Sequence, residues 1–137
     1  MDIFKVSSSA LEAQRTRMNT IASNMANAQS TRTESGGPYV RKDVVFQTMP
    51  VKAKQAQGAQ GLDGVKVSGI VEDKKPPIVV YDPGHPDADE NGNVSMPNIN
   101  VIEEMVNMMM AVRAYEANVR AFNTSKGMYQ KSLELGR

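Results

Sequence analysis

The sequence predicts an α+β protein: long N- and C-terminal helices paired as a coiled coil, with a small β-rich middle domain. Three observations lead there. Apolar residues recur at heptad spacing near both ends of the chain. All 7 prolines and 8 of the 10 glycines fall between residues 30 and 97, which forbids long helices there and leaves the ends free to form them. Within that middle stretch lie three short runs rich in Val, Ile, Tyr and Phe, the residues that suit a pleated surface. The expected division is therefore an N-terminal helix over 1–29, a middle domain over 30–97 and a C-terminal helix over 98–137.

The first helix is expected from Ile3 to about Ala28, a stretch without Pro or Gly. Phe4, Leu11, Met18 and Met25 stand seven residues apart, one line of a heptad seam. Ile21 and Ala28 occupy the intermediate position in the later heptads, whereas Ser7 and Gln14 occupy it in the first two. Asn24 and Asn27 flank the seam, and two readings stand open for them. An Asn in a packed helical seam fixes register because its amide must find a partner; alternatively, the two amides fray the helix end before a polar stretch.

Strands are expected over 39–48, 65–71 and 78–81. Between the first two, PVKAKQAQGAQGLDG reads as a mobile loop over about 50–64. Lys75-Pro76-Pro77 opens the third strand from an extended turn.

The last helix begins with Asn100 as N-cap and Glu103 at the reciprocal position of a capping box. From there Val101, Met105, Met108, Val112, Tyr115, Val119, Phe122, Lys126, Tyr129 and Leu133 follow alternating spacings of four and three. Lys126 alone breaks the apolar line, and Gly127 beside it costs about 1 kcal/mol in a helix interior. A second stripe, Ile102, Val106 and Met109, lies alongside, with Ala111, Ala114, Ala117 and Ala121 elsewhere on the surface. A helix with more than one apolar stripe cannot be satisfied by one partner, so the excess is expected to meet other subunits. The seam is expected to bring Phe4, Leu11, Met18, Ile21 and Met25 against Met108, Val112, Tyr115, Val119 and Phe122.

Composition narrows the chemistry. The chain has no cysteine, which removes disulfides, thiolate metal sites and thiol nucleophiles. A net charge of +1 supplies no field for nucleic acid. No run approaches the ~20 apolar residues of a membrane span. The opening residues lack the apolar core of a secretory signal, so export is expected to use a route that reads no cleaved signal. Asp87-Ala88-Asp89-Glu90-Asn91-Gly92 matches the first half of a calcium loop, but Asn98 stands where the closing bidentate Glu belongs. A solvated turn is the stronger reading, and a calcium-responsive binding module is the alternative from another class. His85, between Gly84 and Pro86, has no orienting partner or nucleophile at a useful spacing, so no catalytic residue, cofactor or metal is expected. Met108-Met109-Met110 is explained by packing for two of its three members.

Ser23-Asn24-Met25-Ala26-Asn27-Ala28, preceded by Asn19 and followed by Thr31, resembles the N-terminal signature of the flagellar rod and hook axial proteins; Ser23, Asn24, Ala26 and Asn27 carry it. YVRKDVVFQT from Tyr39, YDPGHPDADENGNV from Tyr81 and the stretch from Met96 onward narrow the resemblance to proximal-rod members of that family. Asn93 departs from the aromatic more usual after the glycine. The resemblance implies a non-enzymatic subunit exported unfolded through the flagellar type III channel and assembled into the rod across the periplasm. It further implies terminal helices forming an inner tube, a β-rich domain outside them, and self-association. The other partners would be other rod proteins and the membrane-ring and adaptor components at the rod base, with no nucleic acid and no membrane insertion.

Overall fold

Two antiparallel helices, α1 (Asp2–Ala26) and α2 (Val101–Leu135), form the spine of the computed structural model, which describes residues 2–51 and 62–136. Between them in the chain lie β1 (Lys42–Pro50), β2 (Asp63–Glu72), β3 (Ile78–Tyr81) and β4 (Asn93–Met96). The helices run in opposite directions: Phe4 meets the rings of Phe122 and Tyr129 edge-on at one end, centroids 5.2 and 6.4 Å apart. At the other end Asn24 donates to Glu104. At ~1.5 Å per residue, α2 is ~15 Å longer than α1, and its last turns, past Tyr129, run beyond the start of α1.

The absence of Pro and Gly lets α1 run unbroken, and its end is built by Asn27. The Asn27 amide donates to the Ser23 carbonyl at 2.9 Å and its oxygen accepts from the Ser30 hydroxyl at 3.1 Å. Asn100 caps α2 by accepting from the Ile102 and Glu103 amides at 3.0 and 3.4 Å. The reciprocal half of the expected capping box is not made among the described residues, so Glu103 contributes through its charge near the positive end of the helix.

β1 and β2 form an antiparallel hairpin whose register slips between Val45 and Phe46, opposite Ser68. The hairpin packs on α1. Contact there is close: the Ser9 hydroxyl accepts from the Val65 amide at 3.1 Å, and a Cβ on Gly64 would stand 2.7 Å from the same oxygen. Pairing extends past the expected strand ends, since Pro50 pairs with Asp63 and the Val51 amide donates to the Leu62 carbonyl at 3.1 Å. The strand start moves the other way. Residues 39–41, expected in the first strand, precede it: the Tyr39 amide goes to Ser30, and Arg41 keeps one bond in the β1–β2 register, its carbonyl accepting from the Asp73 amide. The centre of the expected loop, 52–61, lies outside the described residues.

β3 pairs with β4 in a separate antiparallel ribbon. β4 was not expected, because Asn93 and Ser95 dilute its apolar content to Val94 and Met96. It forms because the 82–92 turn returns the chain beside β3. Gly92 makes that turn at φ +79, where a Cβ would come within 2.9 Å of the Tyr81 ring.

Candidate functional site

α2 packs on α1 and, among the described residues, on no other element. The residues of α2 turned inward are therefore read directly from burial. Glu104 and Ala111 are fully covered, and Met108, Tyr115, Asn118, Val119, Phe122 and Ser125 are half-buried. Glu104, Met108, Ala111, Tyr115, Asn118, Phe122 and Ser125 form a line of alternating four- and three-residue steps. It shares Met108, Tyr115 and Phe122 with the all-apolar line of the sequence, but its other members are Glu, Ala, Asn and Ser.

The apolar line itself drifts around the helix, by about 80° over the four heptads from Val101 to Tyr129. A repeat averaging 3.5 residues drifts by about 20° per heptad on a straight helix of 3.6 residues per turn. Phe122 and Tyr129 accordingly meet Phe4, whereas Val101, Met105 and Val112 are exposed at the opposite end. Val112, expected against α1, is 37% exposed, and Ala111 beside it is fully covered. Leu133, in the overhang, is exposed as well. On α1 the expected residues stay on the packed side: Ile21 is buried, and Phe4, Leu11, Met18 and Met25 are half-buried.

The outward drift creates a surface. Ile102, Met105, Val106, Met109 and Val112 share the solvent side of the first three turns of α2, with Ile102 73% exposed. Beyond them the same side carries Arg113, Glu116 and Arg120, the last two an i,i+4 ion pair. The apolar stripe is thus confined to the part of α2 beside the end of α1. Contiguous exposed apolar faces of this kind mark interaction sites.

Behind that stripe is a buried polar tie. Asn24 is wholly buried and uses its amide completely. Its oxygen accepts from the Lys42 amide at 2.9 Å and the Tyr39 hydroxyl at 3.2 Å, and its nitrogen donates to the Lys42 carbonyl at 2.7 Å and to Glu104 at 3.1 Å. The side chain thereby pairs with the Lys42 backbone as a neighbouring strand would. Glu104, 1% exposed, is neutralised by the Arg41 Nε at 2.8 Å, and Arg41 also faces Asp43 and Asp73 at 3.4 and 3.7 Å. Burial raises the Tyr39 hydroxyl above its ordinary pKa, and the charges of Glu104 and Glu72 add to this. For Arg41 desolvation acts downward, but the hydrogen bond and charge of Glu104 outweigh it, so its pKa is raised.

Of the two readings of Asn24 and Asn27, Asn24 takes the first and ties α1 to both β1 and α2. Asn27 finishes the helix, and Ser23 and Ala26 are exposed. Glu104 and Arg41 were missed by sequence reasoning. The available signal was that Glu104 stands four residues before Met108, on its own line of 4-3 steps.

In the 82–93 turn the carboxylates act as acceptors that order the loop. Asp87 accepts from Thr31 at 2.7 Å and pairs with Arg32, and Asp89 accepts from the Asn91 and Asn93 amides. His85 Nδ1 accepts from the Asp87 amide at 3.0 Å. Among the described residues, no three His, Asp or Glu side chains converge on a possible metal position, and no helix is long and apolar enough to cross a membrane.

Paired terminal helices with an apolar ridge exposed among the described residues characterise this fold, and the segments that contain both helices match family models of one class, the flagellar rod proteins. Residues 4–32 match the model described as flagella basal body rod protein, and residues 90–135 match the C-terminal model of the flagellar basal body rod FlgEFG proteins. The chain is 47% identical to the flagellar basal-body rod protein FlgC of Salmonella typhimurium, covering 100% of this chain and 98% of that one. It is 42% identical to FlgC of Bacillus subtilis, covering 96% and 95%, and 40% identical to that of Borreliella burgdorferi, covering 95% and 93%. The chain belongs to the FlgC family of flagellar basal-body rod proteins.

Proposed function

We propose that the chain is a structural subunit of the flagellar basal-body rod that polymerises through its terminal helices. The observation that carries this reading is the exposed stripe of Ile102, Met105, Val106, Met109 and Val112 on a helix that, among the described residues, packs on no helix or strand besides α1. A neighbouring subunit seated there removes the stripe from water, at ~25 cal/mol per Å² of apolar surface buried. Many such contacts, each modest, make a shaft that carries torque around an export channel. A contact between unlike faces of neighbouring copies propagates as a helical polymer rather than closing as a dimer.

In this reading 1–29 and 98–137 are the axial helices and 30–97 the outer domain. The Asn24, Arg41 and Glu104 tie keeps the hairpin at a fixed attitude to the helix pair, so that load on the middle segment reaches the axis. The partners are copies of the chain, other rod proteins, and the ring and adaptor components at the rod base. Delivery is through the flagellar type III export machinery, placing the subunit in the periplasm-crossing rod.

The test is Val106→Asp, introduced in the native bacterium. A charge at this exposed position leaves the subunit folded and at normal abundance, and the expected result is loss of rods in purified basal bodies and loss of motility. Normal rods and swimming with Val106→Asp would refute the role of the stripe.

A further inference from the structure

Four of the described methionines, Met105, Met109, Met110 and Met128, are more than half exposed, and all lie on α2. Met105 and Met109 stand one helical turn apart in the middle of the outward stripe, between Ile102, Val106 and Val112. Leucine would cover much the same area with a similar helix propensity. The thioether differs in one respect: it reacts. Oxidation by a peroxide turns a flexible apolar side chain into a polar, chiral sulfoxide.

We propose that Met105 and Met109 are a peroxide-sensitive modification site, at which sulfoxide formation disables the outer face of α2 for subunit contact. The proposal rests on the reading of that face as a contact between subunits. In the reaction a sulfur lone pair attacks one oxygen of hydrogen peroxide. The S–O bond forms as the O–O bond breaks, and the departing hydroxide takes the remaining proton as water. Sulfur loses two electrons and the peroxide is reduced. Reversal by a methionine sulfoxide reductase returns the thioether, with two thiols oxidised to a disulfide and the oxygen leaving as water.

The consequence follows from position. Each sulfoxide oxygen is a strong acceptor at the centre of an apolar patch, and a neighbour seated there would bury it without a donor. Oxidation and assembly therefore exclude each other: the free subunit presents both sulfurs to solvent, and the assembled subunit covers them. A subunit damaged in transit is kept out of the shaft until it is reduced.

The full chain is treated with hydrogen peroxide, and peptides are analysed by mass spectrometry. Association, with itself and with purified rod subunits, is followed by sedimentation velocity. Met105 and Met109 are expected to gain one oxygen each before the half-buried Met18 and Met25. Association should weaken by about tenfold or more and return after treatment with sulfoxide reductases and dithiothreitol. A Met105→Leu/Met109→Leu variant should associate like the parent and keep that association under peroxide. The proposal is overturned if the sulfoxide form associates as well as untreated protein, or if the double variant loses association equally under peroxide. Untreated protein that associates with neither itself nor rod subunits would overturn the reading of the face as a contact, and this proposal with it.

Discussion

Replacing Asn24 by alanine tests the polar tie most directly. The side chain is fully buried and makes four hydrogen bonds. Alanine leaves the Lys42 amide, the Lys42 carbonyl and one oxygen of Glu104 without their partner at the junction of α1, β1 and α2. A stranded buried polar group costs about 1–3 kcal/mol. Lys42 and Tyr39 are only half-buried, so water reaches part of the gap, and Glu104 keeps Arg41. The loss is therefore about 3–4 kcal/mol in total, against a stability on the order of 10 kcal/mol for a chain of this size. In urea unfolding of the isolated subunit the midpoint should fall by roughly 1.5 M with an unchanged slope. Asn19→Ala, at an exposed position one turn away, should shift it by less than about 0.3 M. An Asn24→Ala midpoint indistinguishable from that of Asn19→Ala would refute the claim that the tie stabilises the subunit.

Adjacent substitutions on α2 should separate folding from assembly. Ala111→Asp buries an unpaired charge against α1 and should cost several kcal/mol in the same unfolding assay, whereas Val112→Asp should stay within about 1 kcal/mol of the parent and yet abolish rods and motility. On α1 the Gln14 Oε1 is buried with no hydrogen-bond partner among the described residues; Gln14→Met should therefore raise stability by about 1 kcal/mol, and a loss of that size would show that the amide is satisfied in solution. The Thr31 hydroxyl holds the Asp87 carboxyl below the usual carboxylate range, with desolvation opposing and the Arg32 charge assisting. Because the folded pKa is the lower one, this contact contributes stability above the unfolded value of about 3.9 and loses it as pH falls through the folded value. A carbon-detected titration should find the Asp87 carboxyl returning upward in Thr31→Val, and no movement would refute the assigned cause.

The terminal helices and the four-residue strand β3 could be read from the chain because local rules decide them. Pro and Gly exclude helix from the middle, and IVVY between two prolines and a turn has little alternative to extended backbone. β4 could not be read in this way. NVSM has weak intrinsic preference, and it becomes a strand only because Gly92 brings it beside β3. The tie was hidden for a related reason: the burial of Glu104 depends on Arg41, 63 residues earlier, and on Asn24, 80 residues earlier. No local pattern marks a carboxylate as covered when its counter-charge comes from so far along the chain. The signature around Asn24 drew attention to the right side chain, but its partners had to come from the fold.

The inner seam of α2 shows why strict apolar periodicity pointed partly outward. Had the 4-3 line served only the pairing with α1, drift along a straight helix would have been corrected by supercoiling or by changing the repeat. Instead the covered positions near the start of α2 are filled by Glu104 and Ala111, and the apolar line there continues on the exposed side as Met105 and Val112. The polar and small residues fit the intrachain contact, since Glu104 reaches Asn24 and Arg41 and Ala111 lets the helices approach. The large apolar residues next to them stay partly exposed among the described residues, Met105 at 51% and Val112 at 37%. In the proposed assembly one line, broken only at Lys126, would serve two interfaces, α1 at its C-terminal end and a neighbouring subunit at its N-terminal end. Such a line is what a subunit needs if its own helix pair is to continue, without a break in packing, into the next copy along a shaft.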